Sequence, residues 1–166
     1  MTEKTPLDPK ALRQALGCFA TGVTVITTLD HKARPVGVTA NSFSSVSLEP
    51  PLVLFSLGRQ ALSLWAFLST HHFAVNVLAA DQSELSNRFA RASVEKWSEI
   101  AYERWDSGCP ILPGCAASFE CEIRYTHNGG DHVIFVGEIL RMACDPERPP
   151  LLFHGGRYGA LAAPEL

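Results

Sequence analysis

The sequence predicts a mainly β domain: strands closed into a barrel, with a few short helices. Three observations predict it. At least six segments are rich in β-branched and aromatic residues. Only two or three short stretches carry a helical pattern. Strands and helices do not alternate regularly, which excludes a doubly wound parallel sheet and its usual dinucleotide crevice. At 166 residues, the chain suits one domain over 1–166 with a sizeable core.

The elements follow in order. Asp8 caps the first helix, and Pro9 takes the first helical position, where its missing N–H costs nothing. Leu12, Leu16 and Phe19 recur at spacings of four and three, giving an amphipathic helix of about three turns that ends at "ATG". "VTVITTLD" (23–30) and "VGVTANSF" (36–43) form a hairpin about "HKARP". After Pro50-Pro51, "LVLFSL" (52–57) is a third strand, expected to be buried on both faces. Ser63 caps the short helix "LWAFLST", and "FAVNVL" (73–78) is a fourth strand. Asp81 and Glu84 have the spacing of a capping box for the helix "QSELSNRFA". Residues 91–114, with Trp97 and Trp105, are irregular and read as a lid or edge excursion. "CAASFECEIRYTH" (115–127) and "HVIFVGEILRMAC" (132–144) are joined by "NGGD", a strong hairpin signal. "PLLFHGGRYG" closes the domain.

Composition excludes several classes. The formal net charge is -3 and no Lys/Arg block is long, so no nucleic-acid footprint is visible. The apolar runs are too short for a membrane span, and "MTEKTPLDPK" lacks the apolar stretch of a signal peptide. The five cysteines are odd in number and form no C-x-x-C pair, which fits reduced thiols in the cytoplasm. No metal site is expected. No two histidines share a helical face, and His127 with His132 across a turn does not make a zinc site. The P-loop, nucleophile-elbow, zincin and dinucleotide fingerprints are all absent.

The segment "TANSFSSVS" (39–47) carries the most chemistry. Its hydroxyls could simply meet water on an exposed strand and turn. Alternatively, small side chains with backbone amides could face a flat ring that needs donors and acceptors at close range. The residues alone leave both readings open.

Taken in order, "FATGVTVITT", "GVTANSFSSVSLEPPLVLFSL", "FAVNVL", "LSNRFA", "GCPILPGCAASFECE", "GDHVIFVGEI" and "PLLFHGGRY" resemble the flavin reductase-like, FMN-binding split-barrel family. These are the reductase components of two-component flavin monooxygenases. The resemblance implies a six-stranded antiparallel split β-barrel of Greek-key type. It also implies a homodimer with FMN or FAD near the subunit interface. It assigns Thr39, Ala40, Asn41, Ser42, Ser45 and Ser47 to the isoalloxazine and ribityl chain. "FSLGRQALS" would lie near the ribityl phosphate. Where the family often has hydroxyl residues after the arginine, this chain has Gln60, Ala61 and Leu62, leaving backbone amides, Ser56, Leu57 and Ser63. Arg88 fits a phosphate partner. Gly130-Asp131-His132 resembles the nicotinamide-side motif: His132 positions the nicotinamide, and Asp131 fixes the imidazole or completes the turn. Tyr158 is a second contact on that side, and Arg157 meets the pyridine nucleotide's phosphates. The implied activity is hydride transfer from NADH or NADPH to FMN or FAD, with reduced flavin passed to a separate oxygenase. Two alternatives stand beside it: a flavoenzyme of the same barrel that reduces a corrinoid or another acceptor directly, and a non-catalytic flavin-binding module.

Overall fold

A computed structural model describes residues 6–93 and 95–162. Helix α1 is Pro9–Gly17, and β1 is Thr21–Gly22. A hairpin follows, β2 Thr24–Leu29 and β3 Pro35–Ala40, then a second, β4 Ser44–Leu48 and β5 Pro51–Gly58. Next come α2 Leu64–Leu68, β6 His72–Val77 and α3 Ser83–Ala90. The short β7 Glu103–Arg104 and β8 Pro110–Ile111 precede the long β9 Ala117–Gly129 and β10 His132–Cys144. The hairpin β11 Leu152–His154 and β12 Arg157–Gly159 ends the described chain.

The principal sheet has seven antiparallel strands in the order β3-β2-β6-β9-β10-β5-β4. This corrects the expectation of a closed six-stranded barrel. The extra strand is β4, inside the segment read as part strand and part turn. No ladder joins the edge strands β3 and β4, so the sheet is not closed by hydrogen bonds. It must nevertheless curl. Laid flat, seven strands about 4.8 Å apart would separate the two edges by about 29 Å. The chain passes from Ala40 on one edge to Ser44 on the other through Asn41–Phe43 alone, a reach of at most about 14 Å. Covalent connectivity thus brings the edges together at an opening bridged by residues 41–43. β3 also approaches β5 across it.

The concave side is the main core. Phe55 is its hub, stacked on Phe135 at 5.0 Å and edge-on to Phe73 at 5.0 Å and Phe67 at 5.5 Å. Leu64 and Phe67 bring α2 into this core. Gly137 is required here, because a Cβ would fall 2.4 Å from the Phe73 ring. A second core, around Val25, Leu78, Phe89 and Leu151, lies on the other side of β2. The strands buried on both faces are therefore β2, with Ile26 in one core and Val25 in the other, and β6, with Phe73 and Val75 in the main core and Ala74 in a third cluster. This corrects the expectation for Leu52–Leu57, since β5 buries only Val53, Phe55 and Leu57 and leaves the alternate residues half-exposed. Buried Asn76 and Glu120 have partners, whereas among the described residues Thr21 Oγ1 and Arg148 Nε are buried without one. The Asn76 amide donates to the Val25 carbonyl at 3.1 Å and its oxygen accepts from the Leu112 N–H at 2.8 Å. The Glu120 carboxylate accepts from the Ser107 N–H at 2.7 Å and hydroxyl at 2.6 Å.

The caps divide. Asp8 accepts from the Lys10 and Ala11 N–H groups, as its sequence position predicts. Ser63 holds the cap position of α2 without a side-chain bond. Asp81 does not cap α3, whose N-cap is Gln82; both of its oxygens instead lie 2.8 Å from Arg148 Nη2. A long-range ion pair has replaced the local cap. Gly155 and Gly156, at φ 55° and 78°, make the β11–β12 turn that requires positive φ at both residues. Within the excursion 91–114, Trp105, Cys109 and Ile111 cluster with Ala74, while Trp97, Ile100, Tyr102 and Leu112 pack on the second core, with Trp97 edge-on to Phe89 at 4.8 Å and to Tyr102 at 5.2 Å. Gly37 permits this, since a Cβ would lie 2.6 Å from Phe89. Among the described residues, no helix is long and apolar enough to cross a membrane.

All five cysteines are unpaired. Burial raises the pKa of the Cys109 and Cys121 thiols and pushes Cys115 up to about 12. Only the thiolate alkylates readily. Iodoacetamide at mildly alkaline pH should therefore label the exposed Cys18 and Cys144 in the native protein, with the other three reacting after denaturation. Mass spectrometry of the labelled peptides checks this.

Candidate functional site

The opening at Asn41–Phe43 organises the candidate residues. Thr39 and Ala40 end β3, Asn41 and Ser42 lie in the crossing, and Ser45 and Ser47 sit on β4. The hydroxyls divide into two groups. Ser42 Oγ donates to the Ser56 carbonyl at 3.0 Å and accepts from the Ser56 N–H at 2.9 Å. β4 pairs with β5 only as far as Ser44 opposite Leu54. The Ser42 hydroxyl therefore continues the β5 edge where the ladder stops. Thr39 Oγ1 donates to the Ser86 carbonyl at 2.6 Å and ties β3 to α3. Ser86 is fully buried, and its hydroxyl lies 2.8 Å from the Tyr158 hydroxyl, which is also 2.9 Å from Asn87 Oδ1. By contrast, the side chains of Asn41, Ser45 and Ser47 have no hydrogen-bond partner among the described residues, and Asn41 and Ser45 are exposed. Thr39 and Ser42 build the walls; Asn41, Ser45 and Ser47 are left to meet a ligand. Leu57 is 4% exposed and Ala40 packs against the same core, so only their backbone faces outward.

The β9–β10 turn is a second group. Gly129 pairs with His132, leaving a two-residue loop, Gly130-Asp131, with Gly130 at φ 72°. His132 also pairs with Gly58 at the end of β5. Its Nδ1 is 2.7 Å from Asp131 Oδ1, and this bond lowers the Asp131 pKa. The carboxylate accepts from Nδ1–H, so Nε2 faces away from it. A Cβ on Gly58 would lie 3.7 Å from Nε2, which places the ring edge over the end of β5. The register thus joins Ser56, Leu57, Asp131 and His132 at one end of the sheet, with Ser42 bonded beside them. Tyr158 belongs to the α3 side instead.

A cavity of about 690 Å³ lies next to the opening but does not include it. Its wall contains Pro35–Val38, Gln60–Ser63, Trp65, Arg91 and Lys96. Thr39–Ser47, Arg88, Asp131, His132 and Tyr158 are not among its lining residues. Lys96 Nζ donates to the Phe89 carbonyl at 2.8 Å and the Gly37 carbonyl at 3.3 Å, and burial lowers its pKa. Arg91 is exposed and has no partner among the described residues. Arg88 lies outside the cavity, donating to the Ser98 carbonyl at 2.6 Å.

The sequence reading did not single out Ser86, Arg91 or Lys96. Ser86 sits inside the quoted "LSNRFA", so that motif contained the signal. The lysine and arginine are ordinary surface-like residues in sequence, with nothing to mark them.

The model of the flavin reductase like domain family matches residues 16–162. An FMN reductase (NADH) of Agrobacterium fabrum is 46% identical over 150 residues, 90% of this chain and 84% of the relative. The reductase subunit of a stachydrine N-demethylase from Rhizobium meliloti is 45% identical over 132 residues, 80% of this chain but 57% of the relative. Among solved structures, the Streptomyces globisporus NADH:FAD oxidoreductase in complex with NAD and FAD fragments superposes with a TM-score of 0.88. It is 41% identical, covering 95% of this chain and 97% of that one.

Proposed function

The chain belongs to the flavin reductase-like family, and from that premise we propose that it is an NAD(P)H:flavin oxidoreductase acting as a single domain. The observation that carries this reading is the opening at Asn41–Phe43. Backbone outside every ladder lies there beside amide and hydroxyl side chains with no internal partner. Such an edge can offer alternating donors and acceptors to the pyrimidine end of an isoalloxazine. Thr39, Ala40 and Ser42 would hold the shape of this edge, and Asn41, Ser45 and Ser47 would contact the ring. The flavin supplies the hydride-accepting chemistry, at its N5. The protein's part is orientation and electrostatics. Donors at the opening favour the negative charge that reduction brings to the ring. His132, its Nδ1 held by Asp131, would position the nicotinamide within about 3–3.5 Å of the acceptor, while Tyr158, bonded to Ser86 and Asn87, would contact the ligand only from the α3 side.

Past Leu57 and past Ser56, whose backbone is already held by the Ser42 hydroxyl, the phosphate end of FMN or FAD would run towards the cavity behind Gln60-Ala61-Leu62. Ser63, Arg91 and Lys96 line it. Arg88, outside that cavity and with Nη2 donating to the Ser98 carbonyl, would reach the anion only with the rest of its guanidinium. Arg91→Ala should weaken FMN binding about tenfold, the loss of one charge-assisted contact. Fluorescence titration measures it, and an unchanged Kd would remove Arg91 from the phosphate site.

The same reading makes the protein a cytoplasmic homodimer that releases reduced flavin to a separate oxygenase. Helix α1 buries none of its residues within the chain, leaving Leu16 67% exposed; just beyond it Phe19 is 79% exposed, and Leu48 is 93% exposed. A second copy would cover such apolar surface. Steady-state assays test the activity. NADH oxidation should saturate with added free flavin. Turnover that needs only stoichiometric bound flavin and a different acceptor would favour direct reduction of that acceptor.

A further inference from the structure

We propose that Arg59 is a positioning residue for His132 rather than a ligand of the flavin phosphate. It stands at the head of the segment expected to meet that phosphate, yet it points the other way. Gln60–Ser63 line the cavity, whereas Arg59 does not. Its Nε donates to the Gly130 carbonyl at 3.0 Å and its Nη2 to Asn128 Oδ1 at 2.6 Å. Its backbone N–H donates to the Asp131 carbonyl at 2.8 Å. Three consecutive contacts from one residue therefore clamp the β9–β10 turn on the end of β5. The turn needs such a clamp. It is a solvent-exposed loop carrying Gly130, and without a tie its tip would fray. The ladder itself ends at His132 opposite Gly58, one residue before Arg59. A planar fork suits the task, since it fixes a backbone oxygen and a side-chain oxygen at once. A lysine ammonium lacks that rigid geometry.

This inference rests on the assignment of His132 to the nicotinamide side. The test is a double-mutant cycle of Arg59→Ala and His132→Ala, with Arg59→Lys as the conservative variant. Each protein is assayed for NADH KM, for flavin Kd, and for hydrogen exchange at residues 128–132. Arg59→Ala should raise the NADH KM about tenfold, leave the flavin Kd within about twofold, and speed exchange at the turn. Arg59→Lys should recover part of the KM. In the His132→Ala background, Arg59→Ala should add almost nothing, because both act through one imidazole. A weakened flavin Kd with unchanged NADH KM would make Arg59 a phosphate ligand and overturn the proposal. So would full additivity with His132→Ala, or a normal Arg59→Ala beside an impaired His132→Ala. A normal NADH KM in His132→Ala would instead contradict the assignment of His132 itself, and the role of Arg59 with it.

Discussion

Phe55→Ala is expected to lose about 3–5 kcal/mol of stability, the range for deleting a fully buried aromatic ring. Phe55 has no exposed surface and meets three other rings, Phe67, Phe73 and Phe135, at 5.0–5.5 Å. Those rings come from α2, β6 and β10, so the cavity cannot close by moving one element. Gly137 stands directly against Phe73, which leaves that ring no other place to rest. Domains of this size are stable by only about 5–15 kcal/mol. The variant should therefore unfold at a urea concentration lower by at least about 1 M, given m-values of about 1–3 kcal/mol/M. Phe55→Leu should cost clearly less, because more of the volume is kept. Equal losses for the two variants would mean that the retained volume counts for nothing and the ring contacts carry the whole effect.

Ser42→Ala is expected to damage stability and site together. One hydroxyl satisfies both the N–H and the carbonyl of Ser56. Removing it strands two backbone groups on a half-buried residue, a loss of about 1–3 kcal/mol. It also frees the crossing segment from β5, so the edge facing the ring loses its shape. Flavin Kd should rise at least about tenfold, while Ser45→Ala, which touches nothing inside the protein, should change affinity without changing the melting temperature. Ser42→Thr retains the hydroxyl and should keep most of the stability. If Ser42→Ala melts like the parent protein, the hydroxyl does not hold the opening together.

Much of the fold is legible where the signal is local. Asp8 before Pro9 and the "NGGD" turn each place an element, because one or two residues settle the backbone there. β4 is not legible. It is an edge strand with four of its five residues exposed, so no apolar alternation marks it between the serines and the prolines. The Asp81–Arg148 pair spans 67 residues, and no local pattern could show that Asp81 would leave its helix for it. The site follows the same division. "TANSFSSVS" is visible as a cluster of small polar residues. Which of its hydroxyls are already committed depends on Ser56 and on Ser86, the latter 47 residues from Thr39. Arg59 is the sharpest case: its partners are about 70 residues away, and only the β5–β10 pairing brings the β9–β10 turn to its side chain.

The central claim is that this chain moves hydride from a reduced nicotinamide to a flavin. Anaerobic stopped-flow mixing of the FMN- and FAD-loaded protein with NADH, and separately with NADPH, tests it most directly. The visible absorbance of oxidised flavin should disappear at a rate that saturates with at least one nucleotide, and His132→Ala should require more nucleotide to reach it. Oxidised flavin that stays bound and coloured at saturating concentrations of both nucleotides would contradict the claim and leave a flavin-binding protein without reductase activity.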